Sequence, residues 1–234
     1  LYMVLLGAFQ VLLGKYAGTD DVVVGSPIAG RTRGEVEGLI GFFVNTLVLR
    51  TDLGGDPTFR EVLRRVRAST LGAYEHQEVP FEKLVAELSP ERSLSHSPLA
   101  QVMFTLRTVD GDGGGALRGL TATPLGAEAT TTRFDLTLAL VQYEGGLHGS
   151  LEYATSLFDR GTVARMLEHL GRVLAQVADD AELRLSELDL MGDDERQTVV
   201  EAWNRTDAPY PRTVTIHEMF ARQVAERPDA VALV

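Results

Sequence analysis

The sequence contains no cysteine. Disulfide frameworks and thiolate chemistry, at a metal or as a nucleophile, are therefore excluded, and the absence fits a reducing compartment. We accordingly expect a cytoplasmic protein. Basic residues are also scarce, since 22 Lys and Arg stand against 33 Asp and Glu and give a net charge of −11. A general phosphate-binding surface is disfavoured, and nucleic acid is not an expected partner.

No long apolar run is present either. The most apolar segment, at the start, is broken by Gln10 and Lys15 and has no basic leader, so it is neither a signal peptide nor a membrane span. No membrane partner is expected. Its apolar residues recur at helical spacing and predict a helix already under way at residue 1. Because the closing residues DAVALV have the pattern of a strand, we expect the sequence to be a piece of a longer protein.

Motifs for stand-alone chemistry are missing as well. The five histidines lack metal-ligand spacing, so no metal site is predicted. There is no Gly-x-Ser-x-Gly elbow and no dinucleotide fingerprint, and no Lys-Ser or Lys-Thr pair follows the glycine run at 111–115. His76 beside Glu78 could act as a general base, but a histidine at a helix end is more often a cap or dipole partner. No catalytic residue is assigned.

What the sequence does contain is an alternation of helices and strands. The β-branched run DVVVGSPI at 21–28 predicts a strand after a helix that ends near Gly18, and two strands joined by Glu-Gly-Gly predict a hairpin. Amphipathic helices are predicted after Pro57, after Pro80 and over DRGTVARMLEHLGRVLAQVADD. This interleaving predicts an α/β sandwich with a mixed sheet.

The amino-acid composition changes near residue 179. Acidic clusters and two prolines around a tyrosine predict a linker over 179–212 that contains one helix candidate, at 193–203. A new amphipathic helix, a Pro-Asp turn and a strand over 213–234 then predict the start of a second, truncated domain, so the first domain is placed at 1–178.

The segment IGFFVNTLVLR at 40–50 places an amide and a hydroxyl inside an apolar strand pattern. If the whole segment is a strand, Asn45 shares a face with Phe43 and Leu47, while Thr46 points to the other face. Two interpretations of Asn45 stay open: a functional group on a wall, or a side chain that satisfies a neighbouring backbone group.

Several stretches resemble the condensation domains of nonribosomal peptide synthetases, in particular their C-terminal lobe. The stretches are IGFFVNTLVLR, HQEVPFE and RSLSHSPLAQVMF, supported by DVVVGSPIAGR, FDLTL and LEYATSLFD, and they cover about residues 1–178. The tail, from WNRTDAPYP to IHEMFARQVAERPDAVALV, resembles the linker to an adenylation domain and its beginning. Ser93, His96 and Ser97 depart from the family's Asp, Arg and Asn, so no salt bridge is carried over from that motif.

The resemblance implies a chloramphenicol-acetyltransferase-like α/β sandwich lobe, one of two that enclose a tunnel. Such domains join a peptidyl thioester to an aminoacyl amine. Both reactants ride on phosphopantetheine arms of carrier proteins, so no cofactor is expected to bind this chain directly. The implied partners are the N-terminal lobe, the carrier proteins and an adenylation domain in the same chain. The family's HHxxxDG stretch, with the catalytic histidine, is absent, and the fragment alone is expected to be inactive.

The resemblance also implies roles for individual residues. Asn45, Phe43 and Thr46 are expected on the substrate-tunnel wall, with Asn45 near the reacting carbonyl or the pantetheine amide. Arg31 is the candidate to pair with the Asp of the absent HHxxxDG.

Three further residues, His76, Pro80 and Phe81, are expected to have a structural role at a bend between two helices. Two alternatives to an amide-forming lobe stay open. One is a non-catalytic scaffold that docks carrier proteins, and the other is a different member of the superfamily, such as an epimerisation or heterocyclisation domain.

Overall fold

The computed structural model describes residues 1–88, 97–108, 131–143 and 146–233, which form two compact units, Leu1–Leu190 and Met191–Val234. The helices are α1 Tyr2–Ala17, α2 Gly34–Glu37, α3 Phe59–Glu75, α4 Phe81–Leu88, α5 Arg160–Asp179, α6 Asp193–Gln197 and α7 Ile216–Glu226. The strands are β1 Asp21–Ile28, β2 Asn45–Asp52, β3 Val102–Thr108, β4 Leu136–Tyr143 and β5 Gly146–Tyr153.

The five strands form one mixed sheet in the order β2-β1-β3-β4-β5. β3 runs parallel to β1 and to β4, while the outer strands β2 and β5 run antiparallel to their neighbours. The predicted α/β sandwich with a mixed sheet is confirmed, including the two strands of the predicted hairpin. The turn residues Glu144 and Gly145 lie outside the described part of the chain.

Strand β2 is shorter at its start than the sequence pattern predicts. The strand predicted over FFVNTLVLRTDL is wrong for residues 42–44, because β2 begins at Asn45, where it pairs with Ile28, the last residue of β1. Beyond Ile28 the neighbouring strand ends, so the apolar residues 40–44 have no β1 backbone to pair with. They form part of a loop instead.

The core lies between one face of the sheet and the helices α1, α3 and α5. Its largest fully buried side chains include Phe9 of α1, Phe59 of α3, Phe104 of β3 and Leu49 of β2. Helix α1 is buried along most of its length and packs against both α3 and α5. It ends where Gly18 adopts the left-handed conformation, with φ +63°, as the glycine there predicts.

The segment 180–190, which we call the strap, belongs to the first unit. Its backbone bonds to the start of α3: Phe59 N–H donates to Leu183 at 2.9 Å and Arg60 N–H donates to Ala181 at 2.9 Å. Leu188 enters the core, and its carbonyl accepts from Lys15 Nζ at 3.3 Å. The compact unit therefore extends past residue 178, where the sequence pattern places the domain boundary.

The second unit contains α6, a π-helical turn at Thr198–Ala202 and α7. The helix predicted over 193–203 is present in this composite form. The strand predicted in DAVALV is wrong for its described residues, 229–233, which are irregular. A strand is stable only when a neighbouring strand satisfies its backbone, and none of the described residues pairs with this segment.

Candidate functional site

The side chain of Asn45 joins the start of β2 to the turn between α3 and α4. Its Nδ2 donates to the carbonyl of Gln77 at 2.9 Å and to that of Val79 at 2.8 Å. Its Oδ1 accepts from the backbone N–H of Phe81 at 3.0 Å. The polar residue in the apolar segment therefore bonds to three backbone groups of a second motif, HQEVPFE. This is the backbone-satisfying interpretation that the sequence left open.

The turn at residues 76–81, which we call the corner, contains His76, Pro80 and Phe81. His76 ends α3, and its N–H donates to the carbonyl of Ala73 at 3.2 Å. The carbonyl of Pro80 accepts from Lys83 N–H at 3.0 Å, and Phe81 is the first residue of α4. The structure thus places the three residues between two helices, with His76 and Pro80 exposed.

Arg31 lies in the loop after β1, where it contacts the loop that leads into β2. Its guanidinium carbon stands 4.3 Å from the centre of the Phe43 ring. Its Nη1 donates to the carbonyls of Val36 and Glu37, at the end of α2. Arg31 therefore contacts both the end of α2 and Phe43, just before β2. Its pairing with an aspartate outside this chain stays a prediction.

Phe43 and Thr46 lie on different parts of the site. Phe43 precedes β2, so the strand alternation that would align it with Asn45 does not apply. Thr46 is in β2 opposite Pro27 of β1, and is half-buried. Leu47 and Leu49 face the core, so Thr46 and Val48 face away from the helices. The place of Asn45, Phe43 and Thr46 on a tunnel wall stays a prediction.

Residues 39–44, which we call the apolar loop, expose large hydrophobic side chains beside this site. The exposed fractions are 53% for Leu39, 103% for Ile40, 90% for Phe42 and 49% for Val44. Contiguous exposed apolar groups are uncommon on a monomer and mark surfaces that contact another domain, protein or ligand. The loop therefore has the character of an interface.

Sequence reasoning missed a buried polar chain at the same end of the sheet. Tyr2 Oη donates to Ser26 Oγ at 2.7 Å, and Ser26 Oγ donates to the carbonyl of Phe104 at 2.9 Å. Burial raises the pKa of Tyr2 to about 12, against the opposing effect of the Ser26 hydrogen bond. The available signal was Ser26, a hydroxyl in the apolar strand DVVVGSPI.

The histidines of the described residues are dispersed: His76 lies at the corner, while His148, His169 and His217 lie on β5, α5 and α7. His96, together with Ser93 of the same motif, lies outside the described residues. Among the described residues, no group of three or more His, Asp or Glu could hold a metal ion.

Comparison with known proteins gives a family. The condensation domain model matches residues 1–200 of the chain. The chain belongs to the condensation domain family. Over its whole length it is 50% identical to a linear gramicidin synthase of Brevibacillus parabrevis and 45% identical to chondramide synthase cmdD of Chondromyces crocatus. It spans 5% and 6% of the lengths of these two proteins.

Solved structures of condensation-like domains share the fold. The X-domain from teicoplanin biosynthesis, in its complex with OxyB, matches with a TM-score of 0.72 and 37% identity, over 83% of this chain and 43% of that one. A four-domain nonribosomal peptide synthetase bound to AMP and glycine matches with a TM-score of 0.75 and 27% identity, over all of this chain and 19% of that one. This condensation domain chain thus corresponds to less than half of the X-domain chain. Across its described residues, no helix is both long and apolar enough to cross a membrane.

Proposed function

We propose that residues 1–190 are the C-terminal lobe of an amide-forming condensation domain. The match to 43% of the X-domain chain supports this, because it leaves room for a second lobe of similar size. The apolar loop supports it too, since an absent lobe would cover exposed side chains such as Ile40 and Phe42. The geometric observation that carries the proposal is the triple hydrogen bond of Asn45, which joins the FVNT and HQEVPFE motifs into one structure.

In the complete domain, an aminoacyl amine attacks the carbonyl carbon of a peptidyl thioester. A C–N bond forms, the C–S bond breaks, the thiol is released and the amine loses a proton. Both reactants are held on phosphopantetheine arms of carrier proteins, which supply the thioester. The lobes hold the two arms in attack geometry and exclude water that would hydrolyse the thioester. This chain would provide one wall, with Phe43, Thr46 and Asn45 near it, and part of the acceptor carrier's docking surface.

The catalytic histidine belongs to the upstream lobe in this proposal, so the chain alone would not form amide bonds. The direct test is a single-turnover assay of the parent synthetase with both carriers loaded. It is compared with a variant in which the second histidine of the upstream HHxxxDG is replaced by Ala. Product on the downstream carrier should disappear in the variant while both carriers stay loaded. An upstream sequence without HHxxxDG would overturn the proposal.

We further propose that residues 191–212 continue a linker and that residues 213–234 open an adenylation domain in a cytoplasmic multidomain chain. The match of the whole chain to the four-domain synthetase supports this. Helix α7 begins with a capping box of Thr215 and Glu218 and exposes Ile216 and Phe220, an apolar stripe that the rest of a domain would cover.

A second candidate function is a non-catalytic docking module. The similarity to the X-domain, seen in complex with OxyB, favours it. Such a module would bind a partner protein but form no peptide. Titrating the chain with a loaded carrier protein, observed by NMR shifts of the carrier, detects docking independently of catalysis. Docking without any condensation by the parent protein would favour this candidate. The remaining alternative is an epimerisation or heterocyclisation domain. In the single-turnover assay, the first would invert the configuration of a residue and the second would close a ring.

A further inference from the structure

The hydrogen-bonding capacity of Asn45 is nearly used up by the protein itself. A primary carboxamide has two N–H donors and an oxygen with two lone pairs. Both donors are directed to carbonyls, of Gln77 and Val79, and one lone pair accepts from Phe81 N–H. All three distances lie between 2.8 and 3.0 Å, within the ordinary range for such bonds. A single acceptor site remains.

A group that stabilises the negative oxygen of a tetrahedral intermediate must donate a hydrogen bond to it. Asn45 can do so only by releasing a carbonyl of the corner, which would leave that half-buried acceptor without a partner. We propose that Asn45 is a positioning residue, which fixes the corner against β2 and does not donate to the reacting carbonyl. This inference rests on the proposed amide-forming function, because that function defines the reaction it serves.

Asn45 acts on the corner at both of its ends. The N–H of Phe81 opens α4 and, like every N–H of a first helical turn, has no partner inside the helix. Asn45 therefore caps α4 from a distant strand, as a local N-cap residue would. At the other end it holds the carbonyl of Gln77, one residue after α3 and its cap, His76. Asn45 also directly follows the apolar loop along the chain, so its side chain connects the apolar loop to the corner.

The test uses three variants of the parent synthetase. Asn45→Ala removes all three bonds. Asn45→Asp keeps an acceptor for Phe81 N–H but loses both donors and places a carboxylate against two carbonyls. Asn204→Ala is the matched control, since Asn204 Nδ2 also donates to two carbonyls, those of Val199 at 3.0 Å and Val200 at 2.9 Å, in the second unit. Each protein is examined by single-turnover condensation and by amide hydrogen exchange.

If Asn45 is a positioning residue, amide exchange at residues 77–79 and 81 should rise about tenfold in Asn45→Ala and condensation should slow about tenfold, while Asn204→Ala changes neither. Asn45→Asp should be equally slow near neutral pH. It should regain activity relative to the unaltered protein as the pH falls, because a protonated carboxyl recovers one donor for a corner carbonyl. This pH profile would not accompany a residue that only contributes stability.

Three results would overturn the inference. Slow condensation in Asn45→Ala with unchanged exchange at residues 77–79 and 81 would identify a direct donor. Faster exchange with unchanged condensation would mean that the corner does not matter to the reaction, and an Asp variant as fast as the unaltered protein would mean that the donors do not. If Asn45→Ala does not fold, the Asp variant and its pH profile decide. Failure of the proposed function is distinguishable, because the unaltered protein would then form no amide.

Discussion

Gly30 lies directly against the carbonyl oxygen of Phe43, so closely that a Cβ atom added to Gly30 would overlap that oxygen. Gly30 also has a φ of +65°, in the left-handed region that residues with a side chain rarely adopt. The next residue, Arg31, covers the Phe43 ring. The end of β1 and the entry to β2 are therefore packed backbone to backbone, next to Asn45.

Replacing Gly30 with Ala should open this contact. Both the left-handed φ and the overlap with Phe43 disfavour a side chain, and together they should lower the free energy of unfolding by about 3 kcal/mol or open the loop locally. Urea unfolding and amide exchange over residues 30–44 detect the two outcomes. Gly34→Ala is the control, since a Cβ at Gly34 meets no atom within 4 Å. Unchanged stability and exchange in Gly30→Ala would contradict the packing described.

Tyr2 should make the fold sensitive to alkali. Its pKa is raised by burial from 10.0 to about 12, so the folded state holds the proton more tightly than the unfolded chain. The stability that protonated Tyr2 gives the folded state is complete below the pKa of the unfolded chain and is lost as the pH rises through the pKa of the folded state. The urea midpoint should therefore fall between about pH 10 and about pH 12, and fall less in Tyr2→Phe. Tyr210→Phe, at an exposed position, should behave like the unaltered protein; an identical fall in Tyr2→Phe would refute the assignment.

The strap should contribute to the stability of the first unit. Leu188 is 4% exposed and packs in the core, so Leu188→Ala should lower the free energy of unfolding by about 3 kcal/mol. Leu157→Ala, at a position 59% exposed, is the matched control and should change it little. If urea unfolding shows that Leu188→Ala has as little effect as the control, the strap is a dispensable linker.

Attachment of the strap should weaken in acid. The Asp56 carboxylate accepts from Ser186 N–H and Ser186 Oγ, both at 2.8 Å, and these bonds hold its pKa below the usual value. This stabilisation is present above the ordinary carboxyl pKa and is lost as the pH falls through the lowered value. Asp56→Asn keeps an acceptor and tolerates the φ of +48°. We expect the protection of the strap amides from hydrogen exchange to become equal in the two proteins as the pH falls. A difference in protection that does not change with pH would contradict this.

The fold was largely predictable because its elements have strong periodic patterns. Strand β1 has the bounds that DVVVGSPI predicts, and Gly18 ends α1 as a glycine cap should. The failures share one physical cause, namely that apolar sequence alone does not supply a hydrogen-bonding partner. Residues 40–44 are as apolar as a buried strand, yet the neighbouring strand ends at Ile28.

The site was predictable as a pair of motifs but not as a set of contacts. Nothing in the sequence spacing brings Asn45 to Gln77, 32 residues later, because that contact depends on how α3 packs beside β2. The partner of Ser26 was hidden for the same reason, since the Phe104 carbonyl is 78 residues away. Long-range hydrogen bonds of buried polar groups become visible only once the tertiary structure is known.

If residues 1–190 form one half of an amide-forming domain, as we propose, the parent protein should lose peptide transfer without them. The measurement is single-turnover peptide transfer by the parent synthetase with both carriers loaded, observed by mass spectrometry of the carriers, with and without residues 1–190. We predict that the intact protein moves the peptide to the downstream carrier, and that the shortened protein loads both carriers but transfers nothing. Equal transfer by both proteins would contradict the claim.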